Sequence, residues 1–141
     1  MKKITVIHGP NLNLLGQRDH AHYGTLTLPE INDHILAYCK NVGIDCTISQ
    51  FNSESEIINE LHQLQDVHGI VINPAAFTHS SVAIRDAIDA ISTPVIEVHL
   101  SNIHARESFR QTSLTAPVCI GQISGLGWNG YLLALQYFVD H

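Results

Sequence analysis

In the run VIEVHLSN, Glu97 and His99 lie two positions apart. If the run is a strand, both side chains stand on one face, where the carboxylate can orient the imidazole. Such a pair is a candidate acid or base, and the alternative is a histidine satisfied within a core. Other groups able to bind or stabilise charge also follow apolar runs: Asn11 comes after ITVIHGP, Asn73 after GIVI, and Ser101 after His99 and Leu100. Taken singly, Asn and Ser at such places are ordinary turn or cap residues. A second group crowds the segment HGPNLNLLGQRDHAHYG, from His8 to Gly24, which holds Arg18, three histidines and Tyr23. Connections in compact domains have a median of about 4–6 residues, so a polar segment of this length reads as a working loop or lid, with a surface excursion as the alternative.

The elements that must position these residues alternate along the chain. Ile4 to Ile7 is a β-branched run closed by Gly9 and Pro10, which suits a strand buried on both faces. Thr27 and Glu30 form a T-x-x-E capping box, and Ile31, Ile35, Tyr38, Cys39 and Val42 follow at helical spacing until Gly43. A second strand spans Ile44 to Phe51, and Ser53 with Glu56 repeats the capping box before a helix that carries Ile57, Leu61 and Leu64. Strand three is Ile70 to Ile72, and Ile84, Ala87, Ile88 and Ile91 mark the next helix. Strand four is Val95 to Leu100, strand five Val118 to Ile123, and a last helix runs from about Tyr131 to Val139 after the turn GLGWNG. Five strands alternating with helices predict an α/β flavodoxin-like three-layer sandwich, a five-stranded parallel sheet in the order 2-1-3-4-5. Ligands of such folds bind beyond the carboxyl ends of the strands, where the strand order reverses. That edge receives Asn11, Asn73, His99 and Ser101 together with the loop that carries Arg18 and Tyr23, and the clustering favours a site.

The 141 residues, 45% of them hydrophobic, suffice for one core, so one domain over 1–141 is expected. Thirteen acidic residues against seven basic ones give a formal charge of −6, and the basic residues form no run, which argues against a nucleic-acid surface or a polybasic membrane patch. No segment approaches the ~20 apolar residues of a membrane span. The start MKKITVIHGP reads as a strand rather than a leader, so a cytoplasmic protein is expected. Cys39, Cys46 and Cys119 are odd in number and widely spaced, which predicts buried free thiols. His79, His99 and His104 lack a tight ligand spacing such as H-E-x-x-H, so no metal is expected. Ser80 and Ser81 lack a G-x-S-x-G elbow and read as helix-start residues. GLGWNG lacks G-x-G-x-x-G spacing, and HGPNLNLLG is not the Ser/Thr/Gly-rich cradle that an FMN phosphate needs. A phospho-receiver module needs acidic residues where Asn11 and Asn73 stand. A nucleotide- or flavin-binding module is the non-enzyme alternative.

Four blocks, HGPNLNLLGQR with YG shortly after, INPAAFTHSSVAIRDAI, PVIEVHLSNIHARESFRQTS and APVCIGQISGLGWNGYLLAL, resemble type II 3-dehydroquinate dehydratase in order and spacing from about Ile4 to Leu135. The resemblance implies the flavodoxin-like fold, trimers assembled into a dodecamer, no cofactor, and loss of water from 3-dehydroquinate to give 3-dehydroshikimate, in the shikimate pathway or in quinate breakdown. It makes Tyr23 the base. A phenol titrates near ~10 unaided, and Arg18 matches the cation that activates it. Asn11 would hold a water or donate to the enolate oxygen, and His99, positioned by Glu97, would protonate the departing hydroxyl. The substrate carboxylate would meet the Asn73 amide, the backbone amides of Leu100 and Ser101, and the Ser101 hydroxyl. His79 and Arg110 match residues that grip ring hydroxyls, Arg106 one that orders the lid, and Asp86 one that reaches a neighbouring subunit's site. The chain departs from the family in its lid, GQRDHAHYG in place of a Thr-Arg-Glu-Pro pattern, and in Ala75, where glycine is usual and the added Cβ is expected to tighten the floor of the site. A lysine Schiff base, the other route to the same reaction, needs an amine in an apolar pocket, whereas Lys2, Lys3 and Lys40 lie at the terminus and at the end of a surface helix.

Overall fold

The computed structural model describes residues 1–17 and 19–141. Strands β1 (Lys2–His8), β2 (Ile44–Gln50), β3 (Gly69–Asn73), β4 (Val95–His99) and β5 (Gly121–Ser124) form one parallel sheet in the order β2-β1-β3-β4-β5. The helices are a single turn, α1 (His20–Tyr23), followed by α2 (Leu28–Val42), α3 (Glu54–Gln63), α4 (Val82–Ala90) and α5 (Asn129–Asp140).

Side-chain alternation along the strands divides the core in two. Val71, Ile96 and Val98 join Ile31 and Ile35 of α2 and Tyr131, Leu135 and Phe138 of α5 on one face. Ile70, Ile72 and Val95 join Ile57 and Leu61 of α3 and Ile84 and Ile88 of α4 on the other. Each fully buried aliphatic side chain of this kind contributes about 1.5–3 kcal/mol, which is why both faces of β3 must be apolar. The same parity matters for the site. Val95, Glu97 and His99 share the face toward α3 and α4, whereas Val71 and Asn73, like Val6 and His8, share the face toward α2 and α5.

Helix starts follow their predicted caps. The Thr27 hydroxyl accepts from the Glu30 amide while the Glu30 carboxylate accepts from the Thr27 amide, a complete capping box. At α3, Ser53 accepts from the Glu56 amide, and that half of the box is the one seen. Ser81 caps α4 through the Ile84 amide, in agreement with its reading as a helix-start residue.

Strand five is shorter than predicted and begins at Gly121 instead of Val118. The Ser113 hydroxyl accepts from the Ala116 amide and a one-turn helix forms over Ala116–Val118, so Val118 and Cys119 pack against the α3/α4 core before the chain enters the sheet. Cys39 is buried, but Cys46 and Cys119 are only partly so, a departure from the expected burial of all three thiols.

Gly69 opens β3 beneath Phe138 of α5, and a Cβ there would stand 2.4 Å from the phenyl Cε1 atom. Gly69→Ala is therefore expected to lower the unfolding free energy by about 1–3 kcal/mol through overpacking. Urea unfolding monitored by circular dichroism checks this, and an unchanged midpoint would show that Phe138 yields freely.

Candidate active site

The carboxyl ends of β1 and β3 approach closely because Gly9 has no side chain. A Cβ at Gly9 would lie 2.7 Å from the Pro74 carbonyl carbon, and its amide donates to the Asn73 carbonyl at 2.7 Å. Two residues later Asn11 takes the left-handed conformation, with φ of 68°, which asparagine tolerates better than most side chains. Its backbone N–H donates to Asn52 Oδ1 at 3.0 Å. The loop is then pinned to the core by Leu12 and Leu15, both buried, and ends in α1, capped when Asp19 accepts from the Ala21 amide. The polar segment is thus an anchored loop whose last helical residue is Tyr23.

A cavity of about 180 Å³ opens at this edge, and its walls include Asn11, Tyr23, Asn73, His79, His99 and Arg106. Leu100, Ser101 and Arg110 line it as well. Ten of the sequence-predicted residues are thereby accounted for at the cavity or directly behind it, since Glu97 backs His99. Asp86 is not among the lining residues and sits on the exposed side of α4. Arg18, the predicted activator of Tyr23, lies outside the described residues. Lys2 is engaged elsewhere, donating to the Phe138 and Val139 carbonyls of α5.

Glu97 is fully buried, at 0% exposure. An isolated carboxylate there would be untenable, and the structure surrounds it with donors. His99 Nε2 stands 2.8 Å from Oε2. A carboxylate only accepts, so Nε2 carries the hydrogen and Nδ1 is the ring nitrogen left for exchange with a bound molecule. Gln122 Nε2 donates at 2.6 Å, Ser113 Oγ at 2.9 Å, and the Thr115 hydroxyl completes the set. Burial pushes the Glu97 pKa up, but the bonds from His99, Thr115 and Gln122 outweigh it and hold the carboxyl below its ordinary value. The parity of β4 places the pair, and the β4/β5 register sets Gln122 directly beside Glu97. Sequence reasoning missed Ser113, Thr115 and Gln122. The register of β5 would have found Gln122, whereas nothing periodic marks the other two.

On the lid side, Arg106 Nη1 donates to the Tyr23 hydroxyl at 2.6 Å, and the guanidinium carbon lies 5.1 Å from the centre of the phenol ring. The same nitrogen reaches Ser101 Oγ at 3.4 Å. Arg106 therefore sets a fixed positive charge against the oxygen that would become negative if Tyr23 lost its proton. His79 donates Nδ1–H to the Thr112 carbonyl at 2.9 Å, which leaves its Nε2 for the cavity. Burial, with the nearby charges of His99 and Arg110, lowers the His79 pKa despite that bond. Arg110 is tethered by Glu107 at 2.5 Å. Ala75 adopts φ of 53°, the left-handed region that favours glycine, which is the physical reason that glycine suits this position. Among the described residues no cluster of three metal-binding side chains occurs.

Residues 2–139 fit the model of dehydroquinase class II. The chain belongs to the class II dehydroquinase family. It is similar to the 3-dehydroquinate dehydratase of Desulfitobacterium hafniense (strain Y51), with 54% identity over 140 residues, covering 99% of this chain and 97% of that protein. The 3-dehydroquinate dehydratase of Legionella pneumophila (strain Corby) shares 52% over 141 residues, again 99% of this chain and 97% of the relative. Among solved structures, type II dehydroquinase from Propionibacterium acnes superimposes with a TM-score of 0.97 at 41% identity, covering 100% of this chain and 98% of that one. The flavodoxin-like fold, the parallel sheet and its strand order are those of class II dehydroquinase neighbours.

Proposed function

We propose that the cavity carries out the reaction for which the family's members are named. The chain is a lyase, a 3-dehydroquinate dehydratase that removes water from 3-dehydroquinate to give 3-dehydroshikimate, a step of the shikimate pathway. The observation that carries this reading is one cavity that joins the Tyr23 phenol, beneath the Arg106 guanidinium, with the His99 imidazole, held by an ionised Glu97.

Loss of a β-hydroxyl from a ketone needs a base at the carbon beside the carbonyl, a group that holds the enolate oxygen, and an acid for the departing hydroxyl. Tyr23 takes the proton, and the charge on Arg106 favours the negative oxygen that performs the step. Arg18 shares that task from the same loop. Asn11 donates to the enolate oxygen, directly or through a water. His99 acts in its doubly protonated form: the Nδ1 proton passes to the hydroxyl as the C–O bond breaks, water leaves, and Nε2–H stays on Glu97. The substrate carboxylate rests on the Asn73 amide, the Leu100 and Ser101 amides and the Ser101 hydroxyl, while His79 and Arg110 hold the ring hydroxyls. The experiment is direct: purified protein mixed with 3-dehydroquinate is expected to produce the ultraviolet absorbance of a conjugated enone. No change in absorbance would overturn the assignment.

Asp86 supports a further part of the reading, assembly of trimers into a dodecamer. It lies on the exposed side of α4, outside the cavity of its own chain, where a neighbouring subunit could receive it. Light scattering is expected to give a mass that is a multiple of three chains, with twelve the expected number. A fully active monomer at assay concentration would end this part of the proposal and leave the chemistry standing.

A further inference from the structure

Behind the cavity floor runs a buried series of hydrogen bonds whose direction is fixed at one end by a backbone group. The Ala75 N–H, which can only donate, bonds Asn73 Oδ1 at 3.1 Å. The other end of the amide, Nδ2, must then be the group that meets Tyr131, donating to its hydroxyl at 3.0 Å. Tyr131 has a single hydroxyl hydrogen, and His8 Nδ1 lies 2.9 Å from its oxygen. Asn32 Oδ1 of α2 lies 2.9 Å from His8 Nε2 and only accepts, so the ring hydrogen is on Nε2, Nδ1 is bare, and the Tyr131 hydrogen goes to Nδ1. His8 and Tyr131 are completely buried and Asn73 nearly so. Burial lowers the His8 pKa to about 4 and pushes the Tyr131 phenol up, so both stay neutral at neutral pH and the order of donors persists.

The cause lies in the topology. β1 and β3 are neighbours, with His8 paired to Asn73 in register, and the parity of both strands turns these side chains toward α5. Tyr131, at the start of α5, stands edge-on to the His8 ring with centroids 5.0 Å apart. Asn73 Nδ2 has two hydrogens. Tyr131 takes one, and the second is left for the cavity that Asn73 lines.

We propose that Tyr131, His8 and Asn32 are positioning residues that act with the Ala75 N–H to lock the Asn73 amide with its nitrogen toward the substrate carboxylate. A carboxylate only accepts hydrogen bonds, so an amide free to present its oxygen would repel it. The lock rests on the reading that Asn73 binds this carboxylate, and the test separates the two.

Steady-state kinetics with 3-dehydroquinate are measured for Asn73→Ala, Tyr131→Phe and Asn32→Ala. Tyr131→Phe keeps the ring and its packing but removes the acceptor of Asn73 Nδ2, and is expected to raise KM about 10-fold with kcat within about 3-fold of the parent. Asn32→Ala, outside the cavity on a half-buried face of α2, frees His8 to move its hydrogen to Nδ1 and is expected to raise KM about 3-fold. Asn73→Ala is expected to raise KM at least as much as Tyr131→Phe. If Asn73→Ala raises KM while either of the other two leaves it unchanged, the lock is overturned and the reading of Asn73 stands. If Asn73→Ala leaves KM unchanged, both fall. Lower thermal stability of Tyr131→Phe with an unchanged KM would give the hydroxyl a purely structural role. Nitrogen-15 spectra of the parent protein provide a readout apart from activity: His8 is expected as the neutral form with hydrogen on Nε2, and hydrogen on Nδ1 would overturn the lock.

Discussion

Tyr23→Phe is expected to lower kcat by about 100- to 10,000-fold while KM stays within a few-fold of the parent, the range typical for removing a positioned acid or base. The substitution removes one oxygen and leaves the ring. Tyr23 packs against the core cluster on the α2/α5 side, so the loop keeps its anchor. What disappears is the acceptor of the Arg106 Nη1 bond at 2.6 Å. Arg106 retains its longer contact to Ser101 Oγ, so substrate binding near Ser101 is expected to change little. Exchange of the proton beside the ketone with solvent deuterium, followed by NMR, offers an independent check. It should slow by the same factor as kcat if proton abstraction is the step that Tyr23 performs. Near-normal turnover or exchange in Tyr23→Phe would remove it as the base.

The sheet order and the cavity's edge were legible in the sequence because periodicity and punctuation carry them. Both faces of β3 are apolar in Ile70, Val71 and Ile72, which requires helices above and below. Thr27, Ser53 and Ser81 each mark a helix start through a side chain that bonds a backbone amide three residues on, a local interaction that three letters encode. Once the order 2-1-3-4-5 is set, Asn11, Asn73, His99 and Ser101 must share an edge. The Glu97–His99 bond follows from spacing alone, since residues i and i+2 of a strand share a face.

What the sequence concealed depends on register or on irregular chain. Gln122 reaches Glu97 because the β4/β5 register pairs these two residues, and the alternation of one strand does not specify its register against another. Ser113 and Thr115 lie in a segment without period, held by the Ser113 cap on Ala116. The Arg106 contact to Tyr23 spans 83 positions between two loops, and loops declare no partners. His8 and Tyr131 read separately as a strand end and a helix position. Only the pairing of β1 with β3 and the placement of α5 above them make these residues a unit with Asn73.

His99→Ala is expected to lower kcat by about 100- to 10,000-fold, because hydroxide is a poor leaving group and must be protonated as it departs. The fold should survive the change. Glu97 loses the His99 bond, but Ser113, Thr115 and Gln122 still donate to it, so the buried carboxylate is not left without partners. The variant also separates catalysis from binding. His79 stacks over His99 with ring centroids 6.4 Å apart and donates to the Thr112 carbonyl, a bond independent of the lost ring. The substrate's hold on His79, Arg110 and Asn73 should therefore persist, and KM should change far less than kcat. Imidazole added to the His99→Ala protein is expected to restore part of the lost rate, since the vacated ring position lies against Glu97 and opens on the cavity. A raised KM with normal kcat would make His99 a binding group. Normal values of both would move the acid elsewhere, with His79 the next titratable side chain on the same wall.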